Sequence, residues 1–596
     1  MSRHYDAVIV GGGVVGALVA KILSEAGKNV LILEAGIKNA MDPSTYQQYL
    51  KSFYTEGGVR GMPNGPYPWN ASAPSPAIPS MPVGTSPYYQ YGTQMHFMSD
   101  YLRMLGGTTL HWQGTSLRLV PNDFKMKSVY NKGFDWPITY DDLEPAYRRA
   151  EYELGVSADV EDQLQLKFAG WYPEGYVYPM HKMPPSQVDI FFKEALHKRT
   201  VKLQGKTYPL TVVGIPVARN STPNKKYNFG DGYQPSSAIA DRDKGLRCQG
   251  NSSCLPICPV QAKYSALRTI NDLVKKGRVE VQTQSVASRL VIDKDSGKIS
   301  ELEYKRYDEP GSANYKLETV KGTLIVLAAN AIENATLLLA SGAARTSKQV
   351  GKNLMDHPYL YAWGYSSQRV YPFRGPDTTS GMESLRDGDF RKFHASFRAS
   401  LSNWGWSGEP GTQIASLLSQ RVYGKDLRNT LADRMTRMVK IGFMFEQLPT
   451  EQNYVTIDPN YKDALGNFKP VFSYHYDDYT LKGIEEAIYN VWPTITEYAG
   501  IENHTSYPPG PTGANQSVPF NGRNYNIMGS GHIVGTHKMG NKKSDSVTDT
   551  NMKAWDHSNL YIVGAGSQVT IGTANPTLTA AALSVRAAEA MLKDLL

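Results

Sequence analysis

Thiols are almost absent from this chain. Its 596 residues include three cysteines, and all three lie together at Cys248, Cys254 and Cys258. No apolar stretch reaches the length of a bilayer-crossing helix, so no membrane span is expected. No charged leader with an apolar core and cleavage site precedes the first strand, which begins by Tyr5 and on that ground argues for the cytoplasm. Basic residues outnumber acidic ones, giving a net charge of +8 and a pI near 8.9, yet they are scattered without a long basic run. That pattern argues against nucleic acid and reads as a solvated surface. There is no internal repeat. What is present, 53 glycines and 36 prolines among 20% charged and 41% hydrophobic residues, describes a globular, loop-rich chain long enough for more than one domain.

The cysteines fall in the run CQGNSSCLPICPVQAKY with the spacing Cys-x5-Cys-x3-Cys. Three thiolates this close suit an iron–sulfur cluster with three irons, each taking one sulfur. Pro259 after Cys258 matches the Cys-Pro ending of ferredoxin-type runs. Other readings stay open on spacing alone. Cys254 and Cys258 suit a disulfide beside a third thiol, and three unrelated buried thiols are common enough. Zinc is the weakest reading, because it wants a fourth ligand and no histidine lies in this window.

The two ends of the chain carry the next signals. Residues 5–36 read YDAVIVGGGVVGALVAKILSEAGKNVLILEAG: an apolar strand, a glycine turn, a helix and a second apolar strand ending at Glu34. Gly11 suits the tight turn, Gly13 the approach of a pyrophosphate and Gly16 the packing of helix on strand. The helix N-terminus then offers free N–H groups to the phosphates. Glu34 stands where a ribose-binding acid belongs and favours an unphosphorylated ribose, hence FAD or NAD. Residues 559–595 read NLYIVGAGSQVTIGTANPTLTAAALSVRAAEAMLKDL, a strand and glycine turn followed by a long amphipathic helix. Asn575 is expected to cap that helix, with Pro576 at its first position. Upstream, GSGHIVGTHKMG places His532 and His537 in a glycine-rich stretch. Without context, two such histidines are more often structural than catalytic.

The glycine turn, His532-x-x-Gly535-Thr536 and Gly572-Thr573-Ala574-Asn575-Pro576-Thr577 together resemble the glucose–methanol–choline (GMC) oxidoreductase family, and the likeness runs the whole length. VKGTLIVLAANAIENATLLLAS (320–341) resembles the family's strand and turn returning to the FAD sheet, and GKNLMDHP (351–358) the segment leading to the substrate domain. A narrower likeness joins Gly106-Gly107-Thr108-Thr109-Leu110-His111-Trp112, the segment 120–156 and the cysteine triplet. Together these are similar to the catalytic subunits of bacterial FAD-dependent gluconate, glucose and fructose dehydrogenases that carry a three-iron cluster.

This resemblance implies an α/β fold with a Rossmann-like FAD-binding domain interleaved with an antiparallel-sheet substrate domain. The FAD domain would draw on 1–125, 240–355 and 530–596, with 41–100 as a long ordered covering loop and 248–258 as a cluster loop; the substrate domain would use 126–239 and 356–529. It implies FAD held by Gly11, Gly13, Gly16, Glu34, Gly107, Thr108, His111, Gly564, Ala574 and Thr577. In some relatives a histidine placed like His111 bonds covalently to the flavin. His532 would accept the hydroxyl proton and Asn575 would bind and orient the same hydroxyl, while a hydride passes to the flavin; His537 supports them. A 3Fe-4S cluster on Cys248, Cys254 and Cys258 would carry electrons outward to a cytochrome c, with a small chaperone-like subunit as a second partner and membrane contact only through a partner. A chain folded around its cofactor can leave with a signal-bearing partner, so the resemblance also admits a bacterial periplasmic location. The substrate would be a sugar or sugar acid. The competing functions are a pyranose or glycoside oxidase without a working cluster, and a lyase holding FAD structurally. The tryptophans of SNWGWSGEP (402–410) are candidates to stack on a sugar, or simply to pack.

Overall fold

The computed structural model describes residues 4–36, 90–91, 97, 99, 101, 103–110, 112–227, 246–250, 258, 260–308, 313–376, 378–403, 409–507 and 516–596. The readings placed on His111, on Cys254, on residues 404–408 and on most of 41–100 lie outside the described residues.

A parallel sheet takes its strands from both ends of the chain. Strand β1 (His4–Val10) enters helix α1 (Val14–Glu25), which returns to β2 (Val30–Leu33). Helix α2 (Ala266–Lys275) precedes β3 (Val279–Gln282), which pairs in parallel with β2. The stretch 279–293, expected as two strands around a bend, forms β3 and β4 (Ser285–Ile292). Strand β5 (Ile299–Arg306) pairs with β4 and with the first half of β6 (Lys316–Leu327), both antiparallel. The second half of β6 turns apolar and lies parallel to β1, in the register Ala7↔Leu324 to Val10↔Leu327. Beyond β6 comes β7 (Leu560–Ile562), also parallel. The four-residue buried runs of β1, β2 and β6 are covered on both faces, which is why they read as continuous apolar sequence rather than alternation.

Helix α3 (Ala331–Ser341) follows β6 and is capped by Asn330, whose side chain accepts the N–H groups of Ile332 and Glu333. The last helix, α4 (Pro576–Asp594), packs against α1 and against the helix Tyr140–Leu154. It was expected to be amphipathic. It is instead buried nearly all round from Leu578 to Ala588, because elements from both ends and the middle of the chain close over it.

A second sheet is antiparallel throughout. Its strands, in spatial order, are Glu502–Tyr507, Tyr359–Tyr365, Met438–Phe445, Phe397–Leu401, Ser380–Met382 and Val212–Gly214. One face builds a core with Phe397, Phe443 and Phe445. Residues 41–100 carried no strand signal, yet Gln90–Tyr91 pairs in parallel with the strand Phe468–Ser473. A two-residue strand is too short to show a period. Among the described residues no helix is long and apolar enough to cross a membrane.

Candidate active site

Between the two sheets lies a cavity of about 860 Å³. One end is the turn Gly11–Val15, and the far wall carries His532 and Asn575. At Gly13 an added Cβ meets nothing within 4 Å, so the backbone there fronts open space beside the N-terminus of α1. At Gly16 a Cβ would fall 2.0 Å from the carbonyl oxygen of Gly11, so only glycine lets the helix seat on the turn. Glu34 closes this end: its carboxylate oxygens accept the N–H groups of Gly12 (2.9 Å) and Gly36 (2.7 Å). Burial raises the Glu34 carboxyl above its usual range, opposed by those N–H donors and by the charge of Arg103.

Gly107, Thr108, Gly564 and Thr577 also line the cavity. Two assigned residues do not. Gly16 lies beneath the turn, and Ala574 is a core residue at 1% exposure, its small side chain packed inward so that Asn575 can face out. His537 is fully buried away from the cavity, between Ser567 Oγ (3.2 Å) and Asn334 Nδ2 (3.3 Å).

Asn575 does stand at the N-cap of α4, but its side chain caps nothing. The amide nitrogen reaches His532 Nε2 (3.1 Å), and the amide oxygen accepts from Arg398 Nη1 (3.3 Å). The site has diverted the capping side chain.

His532 is placed by an antiparallel pairing of two loops. Met355 exchanges backbone hydrogen bonds with Val534, and Tyr359 with Met528, which sets Asp356 and His357 opposite Ser530–His532. Asp356 is buried and accepts the backbone N–H groups of His357 (2.7 Å), His532 (2.9 Å) and Ser530 (3.0 Å), and the Ser99 hydroxyl. Burial pushes its carboxyl up to about 7 against those donors. The rings of His357 and His532 meet edge to face, Nδ1 to Nδ1 at 2.9 Å. Burial first, then the charge of Arg398, drives His532 down to about 3, and burial drives His357 well below the usual histidine range. Both imidazoles are therefore neutral at ordinary pH.

The antiparallel sheet supplies the opposite wall. Arg398 pairs across its strands with Met444, and Met444 with Tyr359; Ser400 pairs with Gly442, and Gly442 with Tyr361. These two rows present Arg398, Ser400, Tyr359, Tyr361 and Met444 to the cavity, joined by Thr378. Arg398 is itself held by Glu383, whose two oxygens accept its Nε at 2.9 and 3.0 Å. Sequence reasoning missed this wall. Arg398 sits in FRASL, a short strand without any motif, and nothing local marks it. His357 and Asp356 had a signal: an adjacent acid and histidine inside a segment with conspicuous apolar neighbours.

Cys248 and Cys258 are half-buried outside the cavity wall. The N–H of Ala262 donates to Cys258 Sγ at 3.2 Å, and Cys248 N–H donates to the Asn220 carbonyl at 3.0 Å.

Two family models, each described as GMC oxidoreductase, match residues 232–359 and 449–584. The chain is 29% identical to the fructose dehydrogenase large subunit of Gluconobacter japonicus, over 99% of this chain and 98% of the relative. It is 25% identical to 2-methyl-1,2-propanediol dehydrogenase of Mycolicibacterium austroafricanum, over 98% and 94%. Among solved structures, pyridoxine 4-oxidase from Mesorbium loti superposes with a TM-score of 0.60 at 16% identity, covering 98% of this chain and 99% of that one, which shows a shared fold.

Proposed function

The chain belongs to the GMC oxidoreductases, FAD-dependent enzymes acting on CH–OH groups, and from that premise we propose that it is a dehydrogenase of a sugar or sugar acid. The observation that carries the reading is the pair His532–Asn575, 3.1 Å apart, on the wall of a cavity that begins at the dinucleotide turn. FAD, when bound, supplies the acceptor for the hydride leaving the alcohol carbon. The open space at Gly13, the N-terminus of α1 and the Glu34 carboxylate fit that group.

The chain's own residues handle the hydroxyl and its proton. His532 is neutral, so its Nε2 takes the proton of the substrate hydroxyl. Nε2 has a single lone pair, so the arriving hydroxyl replaces the Asn575 amide on it, and the released amide hydrogen of Asn575 turns to the hydroxyl oxygen and fixes its direction. The hydroxyl-bearing wall of Tyr359, Tyr361, Thr378 and Ser400 supports a polyhydroxylated substrate, while Arg398 is already paired with Glu383. The relative acting on fructose agrees with a sugar.

The reading includes a 3Fe-4S cluster on Cys248, Cys254 and Cys258. A backbone N–H already aimed at Cys258 Sγ suits a thiolate in such a site. When bound, the cluster supplies one-electron transfer to a partner cytochrome. Iron and acid-labile sulfide on protein purified without oxygen, read beside an EPR spectrum, test it. About three irons per chain are expected. Iron-free protein with a normal flavin spectrum would remove the cluster and leave an oxidase. Bleaching of the flavin under anaerobic fructose, glucose or gluconate tests the substrate class, and bleaching by simple diols alone would overturn it.

A further inference from the structure

We propose that His357 is a positioning residue that fixes His532 in the tautomer whose Nε2 carries no proton. The proposal rests on His532 being the proton acceptor, and it comes from the direction of four hydrogen bonds in series.

Both ends of the series are chemically unambiguous. A backbone carbonyl only accepts, and His357 Nε2 lies 3.0 Å from the carbonyl oxygen of Gly572. Neutral His357 must therefore carry its hydrogen on Nε2, since two lone pairs would otherwise face each other. Its Nδ1 is then an acceptor. His532 Nδ1, 2.9 Å away, has to donate to it, which leaves His532 Nε2 bare. At the other end a guanidinium only donates, so Arg398 Nη1 fixes the Asn575 amide with its oxygen toward Arg398, at 3.3 Å. The amide nitrogen then faces His532 Nε2 at 3.1 Å, where an acceptor is needed. The two assignments meet at one atom and agree.

The surroundings hold this arrangement rigidly. His357 is fully buried, and Asp356 ties the backbone N–H groups of both His357 and His532 to one carboxylate. Once Nε2 takes the substrate's proton, the Nδ1–H of His532 still points at His357, and that bond becomes charge-assisted.

The test uses flavin-loaded enzyme. Gln at 357 offers an amide oxygen to His532 and an amide N–H to Gly572, whereas Leu, of similar size, offers neither. His357→Leu is expected to lower kcat about 100-fold, the scale of a lost general base, with KM within about threefold and flavin content unchanged. His357→Gln is expected to restore kcat to within about tenfold of the parent. Equal losses in the two variants, or a Leu variant within threefold of the parent, would overturn the positioning role. A second measurement stands whether or not the Leu variant folds: the ¹⁵N spectrum of histidine-labelled parent enzyme, with His532 assigned from the His532→Asn variant. Protonated Nδ1 and bare Nε2 support the proposal, and the reverse tautomer refutes it. If His532→Asn keeps full turnover, the fault lies with the reading of His532 as the base, and the spectrum still decides the tautomer.

Discussion

At the scale of single residues, the site works because its imidazoles are kept neutral. Substituting His532 by Asn removes the proton acceptor and is expected to lower kcat by about 10²–10⁴-fold while flavin stays bound, a split visible in steady-state kinetics beside the flavin absorbance. The depressed pKa of His532 also predicts the acid side of the pH profile. A base titrating at the ordinary histidine value of 6.5 loses activity just below neutrality, whereas one at about 3 keeps kcat/KM level from pH 7 down to pH 5. An activity loss centred near 6.5 that disappears in the His532 variant would contradict this. The same shifts act on stability. His357, His532 and His537 are depressed in the folded state, so the unfolded chain binds their protons first; their contribution is complete above 6.5 and lost as pH falls, toward about 3 for His532 and His537. Asp356 works the other way, since its folded form at about 7 holds a proton that the unfolded form, near 3.8, has released; its share is complete below 3.8 and lost as pH rises through 7. Other buried acids shifted upward, Asp123 to about 6 among them, act with Asp356, so the informative comparison is between variants. As pH falls from 6.5 to 4, the thermal midpoint of His537→Gln is expected to gain on that of the parent, because one buried imidazole that resists protonation is gone.

At the scale of elements, buried ion pairs anchor the segment 120–156 to the rest. Arg118 Nε and Nη2 each lie 2.7 Å from an oxygen of Glu151 on the helix Tyr140–Leu154, both side chains fully buried. Glu151→Leu leaves that buried guanidinium only its 3.2 Å contact with Glu144 as a counter-charge and is expected to cost about 3 kcal/mol in chemical denaturation; replacing both Arg118 and Glu151 by apolar residues should recover most of it. This scale was also the most legible in the sequence. β1, α1 and β2 could be read because each depends on local chemistry, apolar runs and glycines at fixed offsets, whereas the turn after β6 was read from the family likeness and its Asn330 cap was not foreseen. Asn575 misled because its local and tertiary signals compete. The residue type announces a helix cap, the family likeness sets the side chain beside His532, and the contact with Arg398 from a distant strand is visible only in the fold. Arg398, Ser400 and Tyr361 were illegible for the same reason, since what joins them is cross-strand register rather than spacing along the chain.

At the scale of the whole molecule, the cavity closes only when the two chain ends meet. β7 extends the sheet beyond β6, and α4 packs on α1. Deleting residues 559–596 exposes the edge of β6, uncovers α1 and removes Asn575, so the shortened chain is expected to be insoluble or flavin-free, as size-exclusion and absorbance would show. The docking of α4 on α1 has a further consequence, in time. About 550 residues separate β1 from β7, and at roughly 5–20 residues per second a ribosome needs from about half a minute to two minutes to span them. Throughout that interval the first strand and helix are outside the tunnel with an unpaired apolar face. The face of α1 that α4 covers therefore stays open until the last residues emerge, and Asn575 reaches the cavity only then.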